Sequence, residues 1–188
     1  MGENKYLQVL SFLRTYAGEQ YKKLDKCKNA EERAFMEKGS EEGKAARNSF
    51  TDIAHLIEAR IGIKAGKISQ WQNSGTFVSY FWCQLKKEDA LDSNISLSVF
   101  AEKSGDDLRF RASVELAVDH ASKEEKVSYR RILDLPLDNG LVYVSGGNNE
   151  SEFRILPEKN HEVVKQMRLK KVQAYSVKMA ASIRSAAD

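Results

Sequence analysis

The sequence predicts an α+β fold, with an antiparallel or mixed sheet over about residues 68–145, helices before it and a long helix packed on it at the C-terminal end. Three observations predict this. In the segment 108–118, Leu108, Phe110, Ala112, Val114, Leu116 and Val118 alternate with Arg109, Arg111, Ser113 and Glu115, the period of a half-buried strand. From Phe77 to Leu85 the chain is a nearly continuous apolar and aromatic run, suited to a central strand. On either side, apolar residues recur at helical spacing instead.

Taken in order, Tyr6, Val9, Leu10, Leu13 and Ala17 form one helical stripe that ends at Gly18. A lysine-rich connector follows. Asn29 with Glu32 three residues on is a capping signature, and it introduces a short helix through Phe35 and Met36 that stops near Gly39. A longer helix from about Glu41 to Arg60 buries Ala46, Phe50, Ile53, Ile57 and Ile61 and ends at Gly62. Three helices are therefore expected before the strands. Lys64 and Lys67 then lie among glycines beside Trp71, a segment that fits a phosphate backbone as well as a plain helix-to-strand connection.

Asn73, Ser74 and Gly75 have turn chemistry. The segment 95–101 alternates like 108–118, and the stretch from Lys103 to Asp107 joins the two as a hairpin. Phe100 interrupts the polar face of its strand, with Arg109 and Arg111 on the polar face of the next. An aromatic among arginines on a solvated sheet face suits stacking and phosphate binding, whereas the same face under a helix would be structural. After His120 a short polar helix or loop reaches Tyr129. An edge strand, an interruption at Pro136, a turn at Asp138, Asn139 and Gly140 and a strand through Tyr143 come next. From about Glu158 to the end one basic amphipathic helix is expected, with Leu169, Val172, Ser176, Met179 and Ile183 on one face and Lys170, Lys171 and Lys178 on the other.

Composition narrows the function classes. The 188 residues fit a single domain, and 30% charged with 41% hydrophobic residues fit a globular chain with a real core. A net charge of +3 permits nucleic-acid binding without demanding it. Cys27 and Cys83 show no metal-ligand spacing and read as free thiols of a reducing cytoplasm. No apolar run is long enough to span a membrane, and no phosphate-binding glycine motif occurs. His55, His120 and His161 are scattered. Asp106, Asp107 and Glu115 could gather around a metal for phosphodiester hydrolysis, yet the position two residues after Glu115, where a nuclease strand carries lysine, is Ala117. The expectation is a chain that is no enzyme and holds no cofactor.

The run from Ser74 to Leu85, the polar loop after it and the hairpin from Asn94 to Ala112 resemble the N-terminal DNA-recognition domain of McrB-type restriction proteins, including their LlaI-like branch. The resemblance rests on Gly75, Phe77 and Trp82 in the loop and strand, Asn94 at the next strand and Gly105 to Leu108 in the hairpin. It covers about a fifth of the chain, roughly Trp71 to Arg111. It implies binding of double-stranded DNA at a modified or specific site, in a cytoplasmic restriction complex whose AAA+ motor follows in the same chain and whose nuclease is a separate subunit. In this family a base is flipped into an aromatic pocket. Trp82 and Phe100 match its wall, while Ser74 stands where an aromatic is expected and leaves Trp71, Tyr80 or Tyr143 to complete it. The base pocket is thus expected from Trp71, Ser74, Gly75, Phe77, Tyr80, Trp82, Phe100 and Tyr143, and the backbone contacts from Lys64, Lys67, Lys86, Arg109 and Arg111. From another class, a protein-interaction domain using its basic C-terminal helix fits the same composition.

Overall fold

The structure is a computed structural model that describes residues 2–104, 107–134, 142–145 and 177–183. It is α+β. Two helices, α1 (Gly2–Tyr16) and α2 (Ala30–Ile61), pack together on one face of a sheet. The sheet contains β1 (Lys64–Ile68), β4 (Tyr80–Lys86), β5 (Ile95–Ser104), β6 (Asp107–Leu116), β7 (Val142–Ser145) and β8 (Val177–Ile183). Its order is β1-β4-β5-β6-β8-β7, with every pairing antiparallel. A separate small hairpin joins β2 (Gln72–Asn73) to β3 (Thr76–Phe77), and a short helix α3 (Lys123–Tyr129) follows β6.

The helix α2 begins where expected, with Asn29 accepting a hydrogen bond from the Glu32 amide at 2.7 Å, and ends at Gly62 in the left-handed region. It does not stop at Gly39. The two expected helices are one, because Gly39 and Gly43 serve close packing rather than chain reversal. A Cβ at Gly39 would stand 2.6 Å from the Phe77 ring, and one at Gly43 2.9 Å from the rings of Phe12 and Trp71. Helix interiors tolerate glycine at about 1 kcal/mol relative to alanine, and here the lost propensity is offset by aromatic rings resting on the helix backbone.

The core lies between the helices and one sheet face. Val9, Phe12, Leu13 and Tyr16 from α1, Met36, Ala46, Phe50 and Ala54 from α2, and Phe77, Phe81, Cys83, Leu85, Val99, Ala101 and Phe110 from the strands form one buried cluster. Along β4 the odd residues Phe81, Cys83 and Leu85 point into it, so Tyr80, Trp82, Gln84 and Lys86 take the opposite face. Desolvation among these side chains pushes the Cys83 thiol up to about 11, which makes it an inert core residue.

Two C-terminal expectations change. The segment 177–183 is a strand and not part of a helix, paired with β6 from Phe110↔Ile183 to Val114↔Met179. Met179 and Ile183 are four apart and fit a helix face. Val177, Met179, Ala181 and Ile183 also alternate, and the unpaired edge of β6 supplies a ladder that satisfies the backbone only in the extended form. The rest of the expected helix, residues 158–176, lies outside the described residues, as do 135–141 with Pro136 and the turn after it. Arg130–Asp134 forms a 3-10 turn instead of the start of an edge strand.

Glu125 fastens α3 to the sheet. Its carboxylate accepts hydrogen bonds from the Asn94 amide at 2.6 Å, the Asn94 side chain at 2.9 Å and the Ser122 amide at 2.9 Å, closing a capping box with Ser122. The side-chain and backbone bonds from Asn94, then that from Ser122, bring its pKa down from the ordinary 4.5 to about 2. A depressed carboxylate contributes stability that is complete above the unfolded value and disappears as the folded group protonates. The stability difference between the native chain and Glu125→Gln is therefore expected to be constant above about pH 4.5 and to shrink between pH 4.5 and 2. Urea unfolding of both proteins across that range measures it, and a difference independent of pH would show that the carboxylate charge is not what holds α3.

Candidate nucleic-acid interface

The second face of the sheet carries most of the expected binding residues. Lys64 and Lys86 are direct cross-strand partners at one end of it, and Trp82 and Phe100 are partners further along. Trp82 is four residues from Lys86 on the same strand, about 13 Å at a strand's rise per residue. The pairing of β1 with β4 shifts register between Ala65 and Ile68, and this irregular edge sets the Lys67 ammonium 6.0 Å from the centre of the Trp82 ring. That distance is the outer reach of a cation–π contact. Ser69 clamps the edge in place, its amide donating to the Trp82 carbonyl and its hydroxyl accepting from the Trp82 amide, both at 3.0 Å.

Beside Trp82 opens a cleft of about 420 Å³, lined by Gly18, Lys67, Ser69, Gln70, Gln72, Asn73, Thr76, Phe77, Val78, Ser79, Tyr80 and Trp82. Its far wall is the β2–β3 hairpin. Ser74 and Gly75 both have positive φ, 50° and 77°, which is the two-residue turn that matches strand twist. The hairpin is pinned from outside by the chain after α1: Gly18 donates to the Phe77 carbonyl, Phe77 to that of Glu19 and Tyr21 to that of Gly75, at 2.8–3.1 Å. Phe77 anchors it from below. A volume of this size falls within the range of small-molecule and single-base pockets. Tyr80, 39% exposed, and the half-buried Trp82 offer aromatic surface, and Gln70, Gln72 and Asn73 offer paired donors and acceptors.

Several expected residues are placed elsewhere. Ser74 and Gly75 shape the hairpin tip and do not line the cleft. Trp71 lies under it, packed edge-on to Tyr21 at 5.1 Å and against Phe77 at 6.0 Å. Phe100 is not a wall either. Its ring is covered by the Arg111 guanidinium at 4.0 Å and leans on Tyr80 at 6.2 Å, so it backs the aromatic cluster. Tyr143 is in β7, four strand spacings from β4, or about 19 Å, and so cannot complete this pocket.

Arg109 and Arg111 are the main correction. Each is only 4% exposed, and both are ion-paired to Glu102 across the β5–β6 hairpin, at 2.8 Å for Arg109 and 3.0 Å for Arg111. Arg111 donates a second bond to Glu102 at 3.1 Å and a third to the Ser113 hydroxyl, which in turn donates to Glu115. Burial alone would raise the Glu102 carboxyl, but the bonds and charges of Arg111 and then Arg109 outweigh it and hold the group below the ordinary carboxylate value. These guanidiniums are consumed by an internal network, beside which the Tyr129 hydroxyl donates to the Val114 carbonyl at 2.9 Å. They are not available to phosphates.

Another groove, about 520 Å³ between α1 and α2, is flanked by Glu41 and Glu42 and is unsuited to a polyanion. Among the described residues no helix is long and apolar enough to cross a membrane, and no cluster of three or more metal-ligating side chains occurs. Set against known protein families, curated proteins and solved structures, the chain matches none of them.

Proposed function

We propose that this chain is a DNA-specificity domain of the McrB type, which takes a base of a duplex into the cleft beside Trp82 and leaves nucleotide hydrolysis and strand cleavage to other domains or subunits. The observation that carries this reading is the cleft itself. Aromatic surface from Tyr80 and Trp82, side-chain amides from Gln70, Gln72 and Asn73, and the Lys67 cation meet around one opening on one sheet face. A base extruded from a duplex needs a π surface to replace its lost stacking and edge-directed hydrogen bonds to replace its lost pairing. Backbone affinity comes from cations on the same side. Lys64 and Lys86 stand at the end of that face, and the exposed edge strand β1 carries Lys67 toward the opening.

Replacing Trp82 with alanine is expected to weaken binding to a cognate duplex by about 1–3 kcal/mol, the worth of one base–aromatic stack. Fluorescence anisotropy with labelled duplexes, unmodified or carrying 5-methylcytosine, 5-hydroxymethylcytosine or N6-methyladenine, measures the loss. Thermal melts of the variant separate lost binding from lost fold. Unchanged affinity in a folded Trp82→Ala protein would remove the cleft from the binding site.

A further inference from the structure

We infer that the turn between α1 and α2 is a second phosphate-binding element, in which Lys23 and Lys26 hold the duplex backbone on the side of the cleft opposite Lys67. The inference rests on the reading of the cleft as a base pocket and adds the surface that carries the rest of the duplex. The connector holds Lys22, Lys23, Lys26 and Lys28, and these cations are not equivalent. Lys22 donates to the Glu32 carboxylate and the Lys28 amide donates to its other oxygen, so both residues sit against a negative charge. Lys23 and Lys26 are exposed, and among the described residues no side chain pairs with either. Their part in the turn is played by backbone: the Lys23 carbonyl accepts from the Lys26 amide at 2.9 Å and from the Cys27 thiol.

Leu24–Lys26 is a single 3-10 turn, in which residues three apart eclipse each other along about 6 Å of rise. Lys23 and Lys26 therefore share one side of it. Leu24 and Cys27, also three apart, share the side that packs against the core, and Asp25 takes the third. Burial of one side thus fixes the turn and presents two ammoniums together on another. The turn is joined to the cleft wall by backbone. Residues 18–21 run beside β3, with Gln20 opposite Thr76 and the Tyr21 amide bonded to Gly75. Cross-strand partners share a face, so Gln20 continues the face of Thr76, a cleft residue, one strand spacing or about 5 Å further out. Tyr21 takes the other face, against Trp71 and Phe77. Lys23 follows two residues on, at most about 7 Å of chain. Lysines therefore flank the opening on its hairpin side as Lys67, Lys64 and Lys86 flank it on the sheet side. A nucleotide drawn into the cleft stays joined to backbone that leaves in two directions, and each direction meets cations.

The test uses the full chain and a labelled duplex with one extrahelical nucleotide, its affinity read by anisotropy across a series of salt concentrations. The fluorescence change lost in Trp82→Phe reports that the nucleotide reaches the cleft. Lys23→Gln combined with Lys26→Gln is expected to flatten the slope of log K against log salt by about 1.8, the worth of two phosphate contacts, while the Trp82 signal persists. Lys23→Arg with Lys26→Arg keeps the charge and should keep the slope. Lys38→Gln with Lys44→Gln removes the same charge from the exposed side of α2 and should flatten the slope by less than one contact. Neutral methylphosphonate linkages beside the extrahelical nucleotide, on its 5′ or its 3′ side in turn, locate the contact. On one side only, they should weaken the native chain and leave the glutamine variant little changed. An unchanged slope in that variant, an equal loss in the α2 control, or methylphosphonates that weaken both chains equally on either side, overturns the second element and leaves the base pocket standing. Failure of the duplex to bind, or binding without a Trp82 signal, overturns the pocket reading and this inference together.

Discussion

Glu102→Gln is expected to destabilise the fold by about 3–5 kcal/mol, the cost of leaving buried charge without its partner. Glutamine keeps the size of the side chain but not its charge. Arg109 and Arg111 are both nearly sealed from solvent, so water cannot take the place of the lost carboxylate. Urea unfolding measures the loss. The same network predicts its own control: methionine at 102, 109 and 111 together removes all three charges and should cost far less than the single change at Glu102. A loss below about 1 kcal/mol for Glu102→Gln, within the range of surface pairs, would show that solvent reaches these guanidiniums.

This network marks where the sequence was legible and where it was not. The hairpin and the faces of its strands could be read from alternation, and the register that forms sets Glu102 opposite Arg109 and Phe100 opposite Arg111. What alternation cannot reveal is whether the polar face meets water or another layer, since Ser96, Ser98 and Ser113 give the same pattern in both cases and all three are buried. A carboxylate facing two arginines across a hairpin was the available signal for an internal ion pair. Gly39 and Gly43 misled for a related reason. Spacing and caps locate helix ends, whereas a glycine required by a ring from a distant strand looks locally like a stop. Trp82, Tyr80 and Lys67 were found because aromatic and basic residues stand out in a sequence. Gln70, Gln72 and Asn73 carry no such signal in the sequence, and only the fold brings them to one opening with Trp82.

Phe77→Ala is expected to cost about 3–5 kcal/mol as well, by emptying the centre of the aromatic core. The side chain is fully buried, and the rings of Phe12, Tyr16, Tyr21, Phe35 and Trp71 surround it with centroids at 5.2–6.5 Å. A second substitution makes the mechanism specific. In the native chain Gly39→Ala places a methyl 2.6 Å from the Phe77 ring and 2.9 Å from that of Tyr16, a clash expected to cost about 1–3 kcal/mol, more than the gain of up to about 1 kcal/mol in helix propensity. Once Phe77 is truncated, Tyr16 has room to yield and the same methyl fills part of the cavity. Gly39→Ala should then stabilise the protein. A double-mutant cycle by chemical denaturation reads this reversal as a coupling energy between residues on α2 and β3. Additivity of the two changes would mean that the helix glycine does not set how closely the hairpin approaches, and the cleft wall would have to be held by its backbone bonds to residues 18–21 alone.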